Sequence, residues 1–282
     1  MFTKDSRILN NRLTVPLTSV SNAVGDVFKP TPHQLIKSLF TNGEQGFFYD
    51  PNDLTTLYQD AAGTVPVTAA EQPVGLIKDK SGRNNHAYQT VSASRPILQR
   101  NATTGAYYLA FDGADDFLVT NNIDFTATDK VSLFAGVRKL GDTTAVLAEL
   151  SVDSNTRTGN FLLLAPNASA TYTVRFIGKL GTSSSLTGYL PPHSAVLFAK
   201  GSIANKLQLL RVNGVSNANQ FSDMGTGSYG NYPLYIGRRG GTSLPFNGHL
   251  YSLIGIGRLT TDSETIALEK SIAKNTGVTL SV

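Results

Sequence analysis

Three carboxylates crowd into five residues at Asp112, Asp115 and Asp116. Hard cations such as calcium want several carboxylate and carbonyl oxygens together, so this segment, with Asp79 or Asp124 as further donors, is a candidate calcium site. The alternative is a solvated turn whose side chains accept hydrogen bonds from their own backbone. Paired-carboxylate chemistry is harder to place. The chain holds five glutamates, Glu44, Glu71, Glu149, Glu264 and Glu269, and no two sit on one candidate strand. Glu149 and Asp153 come nearest, yet an extended strand would hold them about 13 Å apart. Retaining glycoside hydrolysis needs carboxyl groups about 5 to 5.5 Å apart. The histidines, His33, His86, His193 and His249, show no metal-ligand spacing, and the absence of cysteine removes thiolate metal sites, thiol nucleophiles and disulfides. No Gly-Lys-Ser/Thr follows the glycine-rich segments, so nucleotide binding is unsupported. The expectation is a chain that binds and is not an enzyme.

The elements that must position these residues are strands. From Gly46 onward, apolar or alternating runs of about five to eight residues are divided by Gly, Asn, Asp, Ser and Pro. Candidate strands cover residues 46–49, 74–79, 87–90, 107–111, 117–120, 131–138, 145–150, 161–165, 171–177, 194–200, 206–212, 234–237 and 250–258. With no helices interleaved, the pattern predicts an all-β, two-sheet antiparallel sandwich. Asp112-Gly113 reads as a hairpin turn, Ser81-Gly82 with Asn84-Asn85 as a loop, and Gly248 as a bulge or a close backbone approach. A short helix is expected after Thr31, with Pro32 in its first turn, Gln34 completing a capping box and Asn42-Gly43 as its stop. A second helix closes the chain, capped by Thr261 and Glu264 and ended at Gly277.

Charged residues make up only 16% of the 282, against about 25% in ordinary globular domains, so Ser, Thr, Asn and Gly must cover much of the surface. The net charge of +4 comes from scattered basic residues without a run, which argues against a nucleic-acid partner. No stretch approaches the roughly 20 apolar residues needed to span a bilayer, and the first residues lack the apolar core of a signal peptide. A protein made in the cytoplasm, with no membrane partner, is the expectation.

Four segments in order carry a resemblance: Asp79-Lys80-Ser81-Gly82-Arg83-Asn84-Asn85-His86-Ala87, then 109–118 with Asp112-Gly113, then 131–138, then 234–237 followed by 246–250 and Leu259-Thr260. Together they resemble the concanavalin A-like lectin/glucanase superfamily in its laminin-G-like branch, over about residues 75 to 275. The resemblance implies a jelly-roll sandwich, a calcium ion as the one candidate cofactor, and a glycan site in which an aromatic ring stacks on a sugar face. With Trp absent, Tyr229, Tyr232 and His249 are the candidate platform, together with Tyr189; the alternative is that such tyrosines merely flank strand ends. The glucanase branch would supply an acid-rich Glu-x-Asp-x-x-Glu cluster, which this chain lacks.

The stretch 43–51, continuing through 57–60 and 72–75, further resembles a leader that precedes such domains in tailed-bacteriophage structural proteins. That resemblance implies a virion protein, located on the particle. Residues 1–43 are expected to be a tether of extended arm and short helix, and 44–282 the jelly-roll domain. The arm carries Lys4, Arg7, Arg12, Lys29 and Lys37 against Asp5 and Asp26. Its isolated apolar residues find burial only against a neighbour, so Arg7, Leu9, Arg12, Leu13, Val15 and Leu17 are the candidate attachment residues. The expected role is an accessory decoration, head-fibre or tail-attached protein whose partners are capsid or tail subunits, with host-surface glycans as an added target. A tail-fibre receptor-binding lectin and a glycan-degrading enzyme are the alternatives. A homo-oligomer, as a trimer, is expected from the symmetry of virions and not from any residue.

Overall fold

The computed structural model describes residues 32–168, 170–216, 220–221 and 223–281. Arg7, Leu9, Arg12, Leu13, Val15 and Leu17 lie outside the described residues, as does the expected cap Thr31.

Two antiparallel sheets face each other. The first runs in the order β15 (Val215–Ser216), β14 (Leu207–Val212), β13 (His193–Ser202), β8 (Lys130–Lys139), β18 (Asn247–Ile256), β6 (Tyr107–Asp112) and β5 (Ile97–Arg100). Beside β18 lies β1 (Gly46–Tyr49), end to end with β6, and β16 (Gln220–Phe221) lies beside β14. The second sheet runs β12 (Gly181–Leu186), β11 (Tyr172–Ile177), β10 (Asn160–Leu164), β9 (Val146–Leu150), β17 (Asn231–Ile236), β7 (Leu118–Asp124), β4 (Ala87–Tyr88), β3 (Leu76–Ile77) and β2 (Leu57–Tyr58). The expected sandwich is therefore the observed one, with more short edge strands than the sequence pattern signals.

Two cores hold it together. Between the sheets pack Leu109, Phe111, Val131, Leu133, Ala135, Val137, Leu147, Phe161, Val174, Phe176, Leu197 and Leu234. On the far face of the first sheet, Phe134, Val196, Phe198, Ile254 and Ile256 meet α1 (Pro32–Ser38) and α2 (Asp262–Thr276) through Ile36, Leu39, Leu268 and Ile272. The near-continuous apolar run of β8 follows: Leu133 points into one core and Phe134 into the other, as strand alternation demands.

Burial of Ile36, Leu39 and Phe40 corrects one expectation. The short helix belongs to the sandwich's outer layer, not to a separable tether, because its apolar stripe has found a partner within the same chain. Arg83 fastens the following segment, donating from Nε to the Glu44 carbonyl at 2.7 Å and from Nη2 to the Phe40 carbonyl at 2.9 Å. Next to it Asp79 accepts from the Phe48, Ser81 and Asn85 amides at 2.8, 2.9 and 3.0 Å. The 79–87 landmark is thus a structural staple.

Asp112-Gly113 is not the expected hairpin turn: β6 and β7 lie in different sheets, and Gly113, at φ 78°, sits in the connection that crosses from one to the other, where glycine is still the residue that adopts a positive φ without strain. At Gly248 a Cβ would lie 2.3 Å from the Arg138 carbonyl oxygen, so the close approach is real. α2 begins with the reciprocal Thr261–Glu264 capping box and ends at Gly277 in the left-handed region.

Candidate glycan-binding face

The aspartate trio is brought together. One ligand oxygen from each of Asp112, Asp115 and Asp116 lies within 4.8 Å of the others. Asp112 Oδ1 accepts from the Ala114 and Asp115 amides at 2.7 and 3.3 Å, Asp116 Oδ2 accepts from the Asp112 amide at 3.0 Å, and Ser94 Oγ donates to Asp115 Oδ2 at 2.6 Å. Burial, then the neighbouring Asp112 carboxylate, pushes Asp116 up to about 6. The oxygens suit a hard cation, but the suggested additional donors do not join: Asp79 is committed to the β1 staple, and Asp124 accepts from the Thr126 amide and hydroxyl. Three carboxylates alone fall short of a calcium shell.

The aromatic platform expected from sequence is not assembled. Tyr229 is 1% exposed, with its ring edge-on to Phe161 at 6.2 Å, so no face is left for a sugar. Tyr232 stands on β17 in the second sheet and donates its hydroxyl to the Thr158 carbonyl at 3.0 Å. His249 stands on β18 in the first sheet, and the three never meet. Tyr189 packs near Tyr172 and His193, at ring distances of 5.5 and 4.9 Å, away from all three.

His249 has other company. On β6, Leu109 and Phe111 enter the inter-sheet core, so Tyr108, Ala110 and Asp112 take the outer face. His249 pairs with Ala110 on one side and Arg138 on the other. Its ring stacks on Tyr108 at 4.0 Å between centroids, with 19° between planes. The register of β18 against β8 shifts between Leu250 and Ser252, and Tyr251, at the shift, sets its ring 5.1 Å from Tyr108. Asn101 Nδ2 holds the Tyr251 hydroxyl at 2.9 Å. His249 Nδ1 is buried without a partner, and burial followed by the Arg138 charge pulls the imidazole down to about 4. The result is a neutral Tyr108–His249 stack, half-buried and backed by the fully buried Tyr251, beside a cation on the part of the outer face beyond α2. α2 marks the limit, since a Cβ at Gly136 would lie 2.6 Å from Ile272. An aromatic face packs on the C–H side of a pyranose, while Arg138 and the imidazole offer polar contacts. Asp112 of the trio pairs with Asn247 on the same two strands, so both candidate features border one patch.

The nearest carboxylate pair also departs from expectation. β9 ends at Leu150, and the chain turns back so that Arg239 contacts both acids: Nε to Glu149 Oε2 at 2.9 Å and Nη1 to Asp153 Oδ1 at 3.7 Å. The 13 Å separation assumed a continuous strand and does not apply. Glu149 is fully buried and also accepts from the Ser154 amide at 2.5 Å. It anchors the loop after β17.

No protein-family model matches the chain, and no curated protein matches it. Solved structures do resemble it. A GH54 α-L-arabinofuranosidase soaked with a cyclic sulfate inhibitor matches with TM-score 0.58 at 12% identity, over 86% of this chain and 65% of that one. An arabinofuranosidase complexed with arabinofuranosyl-α-1,2-xylobiose gives 0.57 at 13% identity over the same shares. The botulinum neurotoxin serotype D binding domain gives 0.53 at 12% identity, over 69% of this chain and 48% of that one. These likenesses show the fold, a lectin-like jelly-roll sandwich.

Proposed function

We propose that this chain is a non-enzymatic glycan-binding sandwich, carried on a bacteriophage particle by its N-terminal arm. The observation that carries the glycan reading is the half-buried Tyr108–His249 stack beside Arg138, backed by the buried Tyr251 ring. The sandwiches that share the fold lend support, one being named a toxin binding domain and another an arabinofuranosidase. The virion role rests on the sequence resemblance of the 43–75 leader and on the basic arm. Capsid or tail subunits are the proposed receivers of residues 1–31, since Ile36, Leu39 and Phe40 of the segment that follows pack on the sandwich itself. A homo-oligomer matched to a symmetric site goes with that role.

Arrays of bacterial surface polysaccharides and other glycans test the first part. Selective binding that Tyr108→Ala weakens about tenfold or more supports it. No selective binding, or release of reducing sugar from such polysaccharides, contradicts it. For the second part, a chain lacking residues 1–31 should stay folded yet no longer join purified particles; continued incorporation contradicts the tether.

A further inference from the structure

Between α1, α2 and the outer face of the first sheet lies a cleft of about 350 Å³. That is room for roughly ten waters, and it falls in the range of small-molecule pockets. Ile36, Phe48, Ile254 and Ile272 make it apolar. Two polar groups on its lining are nevertheless unpaired. Ser252 is 4% exposed, and its Oγ has no hydrogen-bond partner. Asn52 has its Oδ1 fixed by the Tyr107 amide at 2.8 Å, which leaves Nδ2 as the free end, also buried and unpartnered. Buried polar groups are nearly always satisfied, so two orphans bordering one cleft mark where a ligand's polar atoms would be held.

The charges at the cleft say what kind. Asp50 is its one acidic residue and is already taken, accepting from the Asn52 amide at 3.1 Å and from Lys80 Nζ at 3.0 Å. Lys80 is taken as well, by Asp50 at 3.0 Å and Asp53 at 2.9 Å, which leaves Lys274 as the cation at the cleft with no carboxylate beside it among the described residues. Asn52 Nδ2 and Lys274 Nζ are thus donors awaiting acceptors, and a sugar ring would bring mainly further donors.

We infer that this cleft is a binding site for a small carboxylate with a compact apolar body, whose oxygens accept from Ser252 Oγ and Asn52 Nδ2. The site is separate from the Tyr108 platform and does not depend on it.

Hexanoate and benzoate, titrated calorimetrically into the full chain with hexanol as the neutral control, test the inference. Saturable binding of either acid, with hexanol about tenfold weaker or worse, is expected. Ser252→Ala should unfold at a higher temperature without ligand, because it removes an unsatisfied hydroxyl, and should lose about tenfold in affinity. Asn52→Asp keeps the acceptor for Tyr107 while placing a negative charge at the cleft, and should abolish binding. Two results overturn the inference: neither acid binds saturably, or both variants bind the acids as the parent does.

Discussion

The ring of Tyr108 lies on that of His249, 4.0 Å between centroids, and this pairing joins β6 to β18 on the outer face of the first sheet. Stacked so, the imidazole is shielded from water on one side and faces the Arg138 charge on another. Protonating it would put a desolvated cation beside a guanidinium.

The first prediction is the pH signature of that arrangement. His249 takes its proton near 6.5 when unfolded and only near about 4 when folded. The unfolded state therefore binds the proton first, so stability present above pH 6.5 is lost as pH falls toward 4. His249→Gln should remove about 1–2 kcal/mol of that loss after allowance for solvent screening. Unfolding midpoints of parent and variant across pH 7.5 to 4 should converge as the pH drops; parallel curves would contradict the assignment.

At the turn after β6 the sign is opposite. Asp116 is raised from 3.8 to about 6, first by burial and then by Asp112. The folded state then holds the proton longer, so stability is full below about pH 4 and falls as pH rises through 6. Asp116→Asn should raise the melting temperature at pH 7.5 and leave it unchanged at pH 4. The same experiment tests the calcium expectation: an ion at the trio would raise the parent's melting temperature at pH 7.5, and Asp112→Asn would cancel the rise. A flat response to calcium would retire the site.

A third prediction concerns the seat of α2. Arg258 clasps Glu264 in two hydrogen bonds of 2.9 and 2.8 Å and reaches Glu44 at 3.3 Å, tying the end of β18 to the capping box and to the segment after α1. The Arg258 hydrogen bonds hold Glu264 down at about 2. That stabilisation is present above about 4.5 and is lost as pH falls through 2. Glu264→Gln keeps a capping-box side chain but not the charge. It should cost about 1 kcal/mol at pH 7, as read from denaturant midpoints, with the cost shrinking below pH 4.5. No change at pH 7 would mean the clasp is spectator geometry.

The two-sheet plan was legible because most strands carry their own apolar alternation, and α2 because its cap and stop sit at both ends. β12 was not: Gly181–Leu186 is mostly Ser and Thr, and only its pairing with β11 makes it a strand. β5 and the two-residue β2, β15 and β16 likewise carry too little pattern of their own and are strands only through their pairing with β6, β3 and β14, whereas β3 and β4 fall inside the expected strands 74–79 and 87–90. Packing of α1 was hidden because an apolar stripe does not say whose surface covers it. The candidate site was half legible. Tyrosine and histidine positions alone favoured Tyr229, a loop residue that the core absorbs. The alternation within Tyr107–Asp112 held the better signal: with Leu109 and Phe111 turned inward, Tyr108 had to face out. Its meeting with His249 required the β6–β18 register, which no local pattern encodes.

The most direct test follows the full chain by amide and side-chain magnetic resonance while a glycan selected on the arrays is added. The account predicts shifts concentrated at Tyr108, Ala110, Arg138, His249 and Tyr251, and their disappearance in a folded Tyr108→Ala variant. Shifts confined to the outer face of the second sheet, with these five unmoved, would contradict it.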